Sequence, residues 1–264
     1  MYNISIVGAG NVAFRMALFL QAAGHCIDCV YARDLEKAGK VVRALKRGKS
    51  DAVAVNDINL LPKSDITIIA VSDNAIAQVA AQLPHKDAFT VHTSGATPMS
   101  VLEEAGLHNC GIFYPLMTLS MNKDIDIRLV PFLLESANER GKEILVDLVN
   151  SLKAEYKICD SYKRLQFHTA AIFTTNFINY SLSLAYDISH PDFVFLLPSA
   201  IESVRKAFLN TPAVSQTGPA KRGDTNTINK HLEVLSEDKF AEHLEVYRFL
   251  TEKIYKKYNP SKLL

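Results

Sequence analysis

Two periodicities divide this chain. Up to about residue 160, short apolar runs alternate with stretches whose apolar positions repeat at helical spacing; after that only the helical spacing persists. The runs "NISIV" (3–7), "CIDCVYA" (26–32), "AVAV" (52–55), "DITIIAV" (65–71), "AFTVHT" (88–93), "CGIFYP" (110–115), "VPFLLE" (130–135) and "EYKIC" (155–159) predict strands, the last at a sheet edge. Between them the pattern predicts helices over 11–23 (closed by Gly24), 34–45, from about 74, from Thr97-Pro98, and over 138–151. Thr97 would cap its helix with Pro98 in the first helical position. The largely unbroken apolar run at 65–71 suits a central parallel strand covered on both faces. Repeated strand–helix units of this length predict an α/β fold, a doubly wound, Rossmann-like parallel sheet with right-handed crossovers, over residues 1–160.

Residues 161–264 predict a smaller all-α domain with helices at 162–187, 192–209, 224–235 and 237–258. The last has a cap signal at Ser236, acids Glu237 and Asp238 in its first turn and Lys256 and Lys257 near its end, which suits the helix dipole. Its apolar positions Phe240, Leu244, Tyr247, Leu250 and Ile254 form one stripe.

Composition narrows the function classes. With 264 residues, 48% of them hydrophobic, the chain can bury a sizeable core. Its 29 basic and 28 acidic side chains leave a net charge of +1, which argues against a dedicated nucleic-acid surface or a polybasic membrane face. The first strand begins near residue 3, leaving no room for a signal peptide, and the longest stretch free of charged side chains (165–186) is too polar for a membrane span. The expectation is a soluble, cytoplasmic protein. Cys26 and Cys29 lie on opposite faces of a predicted strand, so with Cys110 and Cys159 they read as buried free thiols and no metal site is expected.

The chemistry begins at "IVGAGNVA". Gly8-x-Gly10-x-x-Ala13 falls between a strand and a helix, where a dinucleotide fingerprint must lie. Gly8 would permit the turn, Gly10 would let main-chain amides approach a diphosphate, and Ala13 would let helix and strand pack closely; Ala9, Asn11 and Val12 complete the cradle. The alternative is a tight turn without a ligand. At the end of the second strand, where an NAD site offers a carboxylate to the ribose, stands Arg33, while Asp34 reads as a helix cap. A guanidinium there pairs with a ribose phosphate and favours NADP, unless Arg33 is simply a solvated loop residue. Ligands in such sheets sit beyond the strands' carboxyl ends, so Ser72, Asp73 and Thr93 are expected at the cofactor and Ser94 at the reacting group; ordinary turn chemistry is the competing reading.

In the helical half, His168, Thr175, Asn176 and Asn179 share an arc when wound at helical period. They either line a cleft, with His168 moving a proton and Asn176 orienting substrate, or form a satisfied polar seam. In "TGPAKRGD", Asp224 reads as a cap and Arg222 as a receptor for a substrate anion, or else the two pair structurally.

Together "IVGAGNVA", "HTSGA", "YPLMTLS", "HTAAIFTTNF" and "TGPAKRGD" resemble the NADP oxidoreductases that join a Rossmann-like domain to a helical C-terminal domain of unknown function. Their wider kin are pyrroline-5-carboxylate reductases, deazaflavin-dependent NADP reductases, prephenate dehydrogenases and 3-hydroxyacid dehydrogenases. The resemblance implies a helical domain that dimerises, hence a homodimer, and a substrate pocket near "TGPAKRGD". It also exposes departures. Where the 3-hydroxyacid dehydrogenases keep a lysine four residues before an asparagine, alignment on Asn176 finds Ile172, so that mechanism does not carry over. Tyr114-Pro115 stands where many members read His-Pro. The expectation is an NADP-dependent oxidoreductase moving hydride between NADP(H) and a small, anionic carbonyl, imine or alcohol substrate; the rival is a non-catalytic NADP(H)-binding sensor or scaffold.

Overall fold

The apolar runs assemble into an eight-stranded sheet ordered β3-β2-β1-β4-β5-β6-β7-β8. Its strands are β1 (Asn3–Val7), β2 (Cys26–Tyr31), β3 (Val53–Val55), β4 (Ile66–Ile69), β5 (Phe89–His92), β6 (Cys110–Pro115), β7 (Phe132–Ser136) and β8 (Tyr156–Ile158). These come from a computed structural model that describes residues 1–46 and 51–260. Strand order reverses between β1 and β4, which opens a crevice at their carboxyl ends. The sheet is mostly parallel. The one departure among the described strands is β7, antiparallel to β6, because residues 116–131 supply only a 3-10 turn at Ile127–Leu129 and no crossover helix.

Helices α1 (Asn11–Ala22), α2 (Leu35–Lys46), α3 (Asp73–Gln82), α4 (Ser100–Glu104) and α5 (Glu139–Leu152) cover both faces. On one side Ala13, Met16, Leu20, Val41, Leu145 and Leu148 pack on Ile4, Ile6, Ile66 and Ile68. On the other, Ile76, Ala80 and Leu102 pack on Val7, Ile69 and Cys110. Each fully buried aliphatic side chain contributes roughly 1.5–3 kcal/mol, so this two-sided burial is what fixes β1 and β4. Helix α4 begins at Ser100, not at Thr97, because the Thr97 hydroxyl is engaged with Ser94 Oγ at 3.1 Å. Cys29 and Cys110 are buried thiols, but Cys26 is exposed at the start of β2 and Cys159 is half-buried.

The chain divides into two compact units, Met1–Thr174 and Thr175–Leu264. Helix α6 (Ser161–Thr174) therefore counts with the sheet, although the sequence pattern begins the helical half at 161. The helix expected at 162–187 is in fact two, α6 and α7 (Asn176–Ser189), broken at Thr175 with φ −125° and ψ −70°. Successive threonines explain the break: Thr174 Oγ1 donates to the Ala171 carbonyl and Thr175 Oγ1 donates to Asn176 Oδ1, offering the main chain alternatives to the helix. His168 thus lies on α6 of the first unit, and Asn176 and Asn179 lie on α7 of the second.

The second unit continues with α8 (Leu197–Asn210), α9 (Pro212–Ser215), α10 (Pro219–Arg222), α11 (Thr225–Val234) and α12 (Ala241–Tyr258). Ser236 does not cap the last helix; its hydroxyl donates to the Glu233 carbonyl, and a 3-10 turn at Asp238–Phe240 precedes α12. The buried side of α12 carries His243, Thr251 and Tyr255, while Leu250 of the expected stripe is exposed. This unit leaves Phe195, Phe208, Leu209 and Val214 more than two-thirds exposed, at 79%, 78%, 67% and 71%. Among the described residues no helix is long and apolar enough to cross a membrane.

Candidate functional site

A cleft of about 990 Å³ lies beyond the carboxyl ends of the central strands, and every residue lining it belongs to the first unit. That is the upper end of the ~300–1,000 Å³ typical of small-molecule and cofactor sites. Its floor is the turn from β1 into α1. Gly8 has φ +130°, and a Cβ there would stand 2.2 Å from the Ala70 carbonyl oxygen, so β4 admits only glycine. Gly8 N–H donates to the Tyr31 carbonyl at 2.8 Å, which fixes the turn against β2. Gly10 faces open space, since a Cβ there would have nothing within 4 Å, and it is the N-cap of α1.

No side chain caps α1, whereas Asp34 caps α2, Asn138 caps α5 and Asp224 caps α11. The α1 terminus, which opens onto the cleft, thus leaves first-turn amides without a side-chain acceptor, the condition an anion needs. Ala9, Asn11 and Val12 line the same floor, and Ser72 and Asp73 border it at the start of α3, also without a side-chain cap. The main-chain amides at the α1 terminus fit a dinucleotide's diphosphate.

One end of the cleft is cationic. Arg33, Lys37 and Lys40 line it and are exposed. Asp34 Oδ1 accepts from the Glu36 amide at 3.0 Å and the Lys37 amide at 3.3 Å, so its carboxylate caps α2 as expected. Lys37 and Lys40 were not singled out from the sequence; their i, i+3 spacing on the first turns of α2, after Arg33, was the available signal.

The other end is polar and bears no lysine or arginine of the cleft lining. Thr93, Ser94 and Gly95 arrive from β5. Ser94 is buried, and its Oγ accepts from the Ala96 amide at 3.2 Å and the Thr97 amide at 3.0 Å, so this hydroxyl shapes the loop. Tyr114, near the end of β6, lies 2.9 Å from His168 Nδ1 through its hydroxyl, the two rings in a T-shaped contact. Burial, then the Asp73 carboxylate, holds the Tyr114 phenol above its ordinary pKa. A Cβ on Gly95 would come within 2.6 Å of His168 Nδ1 and 2.7 Å of Tyr114 Cζ, so glycine is what lets the pair close over the loop.

Two buried arginines hold these walls. Arg15, on the otherwise apolar side of α1, donates to the carbonyls of Ser120 (2.7 Å), Met121 (3.0 Å) and Lys123. The Met121 amide donates to Asn11 Oδ1 at 3.0 Å, so residues 116–131 are tied to the phosphate turn and Met121 lines the cleft. Arg164, one helical turn before His168, pairs with Glu135 and donates to the Thr97 carbonyl at 2.5 Å. Ser161 Oγ donates to Glu135 at 2.8 Å and accepts from the Met99 amide at 3.0 Å. Under this network His92 is fully buried, its Nδ1 accepting from the Ser94 amide at 3.1 Å. Burial, then the Arg164 charge, lowers its pKa to about 4. Neither arginine was anticipated; a lone cation on an apolar helix face was the sequence signal for Arg15.

The structure thus brings Gly8, Ala9, Gly10, Asn11, Val12, Arg33, Ser72, Asp73, Thr93, Ser94 and His168 to one cleft. Asn176, Arg222 and Asp224 belong to the second unit. Asn176 opens α7 exposed, its Oδ1 held by Thr175 Oγ1 at 2.8 Å. Asp224 caps α11 through the Thr227 amide at 3.1 Å, and exposed Arg222 approaches it at 3.7 Å. Among the described residues no group of His, Cys, Asp or Glu is placed to hold a metal ion.

The comparisons with known proteins agree with this geometry. Residues 3–94 match the family described as NADP oxidoreductase coenzyme F420-dependent, and residues 130–254 match the domain of unknown function DUF2520. A Bacteroides fragilis crystal structure, described as a putative NADP oxidoreductase, is 30% identical over 97% of this chain and 98% of its own, with a TM-score of 0.83. A Thermotoga maritima protein is 19% identical over 97% of this chain and 98% of its own, with a TM-score of 0.71. Pyrroline-5-carboxylate reductase from Coxiella burnetii is 14% identical over 96% and 98% of the two chains, with a TM-score of 0.57. The last two show the fold alone. No curated protein matches.

Proposed function

Starting from the fact that the chain belongs to the family of NADP-binding oxidoreductases that couple a coenzyme F420-dependent-type NADP oxidoreductase domain to a DUF2520 domain, we propose that it moves hydride between NADP(H) and a small carbonyl, imine or alcohol compound. The observation that carries this reading is the cleft itself, with bared amides at Ala9–Val12, cations at one end and a Tyr114–His168 pair at the other. The α1 amides would hold the diphosphate. Arg33, Lys37 and Lys40 would hold the ribose phosphate, which selects NADP over NAD. When bound, NADPH supplies the hydride; the protein supplies geometry and field. Thr93 and Gly95 would border the reacting end, Ser94 would keep their loop in shape, and His168 would hand the proton to the substrate.

The lining offers no lysine or arginine near His168. In the second unit, Arg222, exposed and only loosely paired, is proposed as a receptor for a substrate anion, with Asp224 holding its loop, and Asn176 as an orienting amide. The second unit is also proposed as the homodimer surface, supported by its exposed Phe195, Phe208, Leu209 and Val214. Sedimentation analysis tests this: a monomer at micromolar concentration would count against it.

The test of function is calorimetric titration with NADPH followed by a panel of carbonyl and imine compounds. We expect NADPH to bind, some compound to oxidise it, and His168→Ala to lose turnover while keeping NADPH affinity; Arg222→Ala should raise KM for anionic substrates. NADPH binding with no turnover across the panel would instead favour a sensor, a reading that the absence of a lysine at position 172, where Ile stands, supports.

A further inference from the structure

The Tyr114–His168 contact carries a conclusion about which nitrogen holds the imidazole proton, and hence about what the cleft can receive. It rests on the reading of His168 as the proton-handling group proposed above. Tyr114 Oη and His168 Nδ1 are 2.9 Å apart, and the rings meet in a T-shaped contact at an interplanar angle of 73°. A phenol hydroxyl is the better donor of the two groups, and the bare nitrogen of a neutral imidazole is the better acceptor. The phenol keeps its proton at neutral pH, since burial holds its pKa above the ordinary value. Donation therefore runs from Tyr114 to Nδ1, and the imidazole proton is left on Nε2, which has no hydrogen-bond partner among the described residues and belongs to a side chain lining the cleft.

We propose that Tyr114 is a positioning residue that holds neutral His168 as its Nε2–H tautomer, so that the cleft presents a donor matched to a substrate atom with a free lone pair, a carbonyl oxygen rather than an iminium nitrogen. In the reduction, the carbonyl carbon gains the hydride that NADPH loses, and the C=O electron pair moves onto oxygen. The Nε2–H bond breaks as the new O–H bond forms, and the imidazole regains its proton from water. An iminium nitrogen has no lone pair to accept that proton and draws nothing from the arrangement. Gly95 belongs to the same device, because a methyl at that position would enter the space that Nδ1 and the Tyr114 ring occupy, at 2.6 and 2.7 Å.

The direct readout is the 15N spectrum of histidine-labelled protein near pH 7.5, without coenzyme, with His168 identified by its loss in His168→Gln. The Nε2–H tautomer should exceed the other by roughly tenfold, and Tyr114→Phe should bring the two to within about threefold. Gly95→Ala, which separates the pair without removing either group, should do the same. A wild-type His168 that rests as Nδ1–H, or an unchanged ratio in Tyr114→Phe, overturns the proposal. In turnover, Tyr114→Phe should lower kcat for carbonyl compounds about tenfold with NADPH affinity unchanged, and should leave iminium compounds unaffected. A wild-type preference for iminium compounds would overturn the substrate assignment. If the tautomer result holds and no compound oxidises NADPH, hydride transfer fails while the role of Tyr114 stands; turnover with the wrong tautomer gives the reverse.

Discussion

Gly8 and Gly10 are two residues apart in one turn, yet the structure gives them different jobs, and the same substitution separates them. In Gly8→Ala the new Cβ would lie 2.2 Å from the Ala70 oxygen and 2.7 Å from the Ala70 carbon, both main chain at the end of β4. Neither atom can swing away as a side chain would. The φ of +130° adds strain of about 1–3 kcal/mol for a non-glycine residue. Overpacking at a well-filled site costs a further 1–3 kcal/mol or so. At about 2–4 °C per kcal/mol for a protein of this size, the apo protein should melt roughly 5–20 °C lower. Gly10→Ala meets nothing within 4 Å, so its apo stability should stay within about 0.5 kcal/mol of wild type. Its methyl would instead stand where the diphosphate is expected. Loss of one charge-assisted hydrogen bond, about 1.5–3 kcal/mol, should weaken NADPH binding about 10- to 150-fold. Thermal unfolding of the apo proteins and calorimetric titration with NADPH measure the two effects separately. Wild-type NADPH affinity in Gly10→Ala would refute the phosphate seat, and a wild-type melting temperature in Gly8→Ala would refute the close-approach argument.

Other consequences follow from the surrounding groups. His92 titrates near 6.5 when unfolded but at about 4 when folded, so between those values the unfolded chain takes up a proton that the folded chain refuses. Stability should fall by up to about 3 kcal/mol as pH drops through that window, and His92→Gln should flatten the slope in urea titrations; an unchanged slope would assign the acid sensitivity elsewhere. Arg164→Met leaves half-buried Glu135 beside no cation and should cost about 2–4 kcal/mol, read as a shift in urea midpoint, whereas a neutral result would mean the pair is dispensable. Replacing Arg33, Lys37 and Lys40 together with alanine should erase the preference for NADPH over NADH with little loss of NADH affinity; retained preference would remove the cofactor assignment.

Much of the first unit was legible because local rules and burial point the same way there. The run at 65–71 reads as a central strand, and β4 is indeed flanked by β1 and β5, with Ile66, Ile68 and Ile69 fully buried. Gly8 could be placed from its motif, and Asp34 as a cap from its position. What stayed hidden depends on contacts far apart in sequence. Tyr114 and His168 are separated by 54 positions, and nothing local to either announces the hydrogen bond between them. Arg15 meets its carbonyls more than 100 positions away, so its place on the apolar face of α1 could mark it as unusual but could not name its partners. The helical half misled the pattern reading for another reason. Its apolar residues are only partly turned inward, so hydrophobic periodicity there does not report a buried face, and the stripe through Leu250 is a case in point. The break at Thr175 was equally invisible, since threonine is compatible with a helix until its hydroxyl finds another partner.

The most direct test of the central claim is a crystal structure of the protein grown with saturating NADPH. The account predicts the diphosphate on the main-chain amides of residues 9–12, the ribose phosphate among Arg33, Lys37 and Lys40, and the nicotinamide toward Thr93, Gly95 and His168. NADPH bound elsewhere, or a cleft closed over by side chains at full saturation, would contradict it.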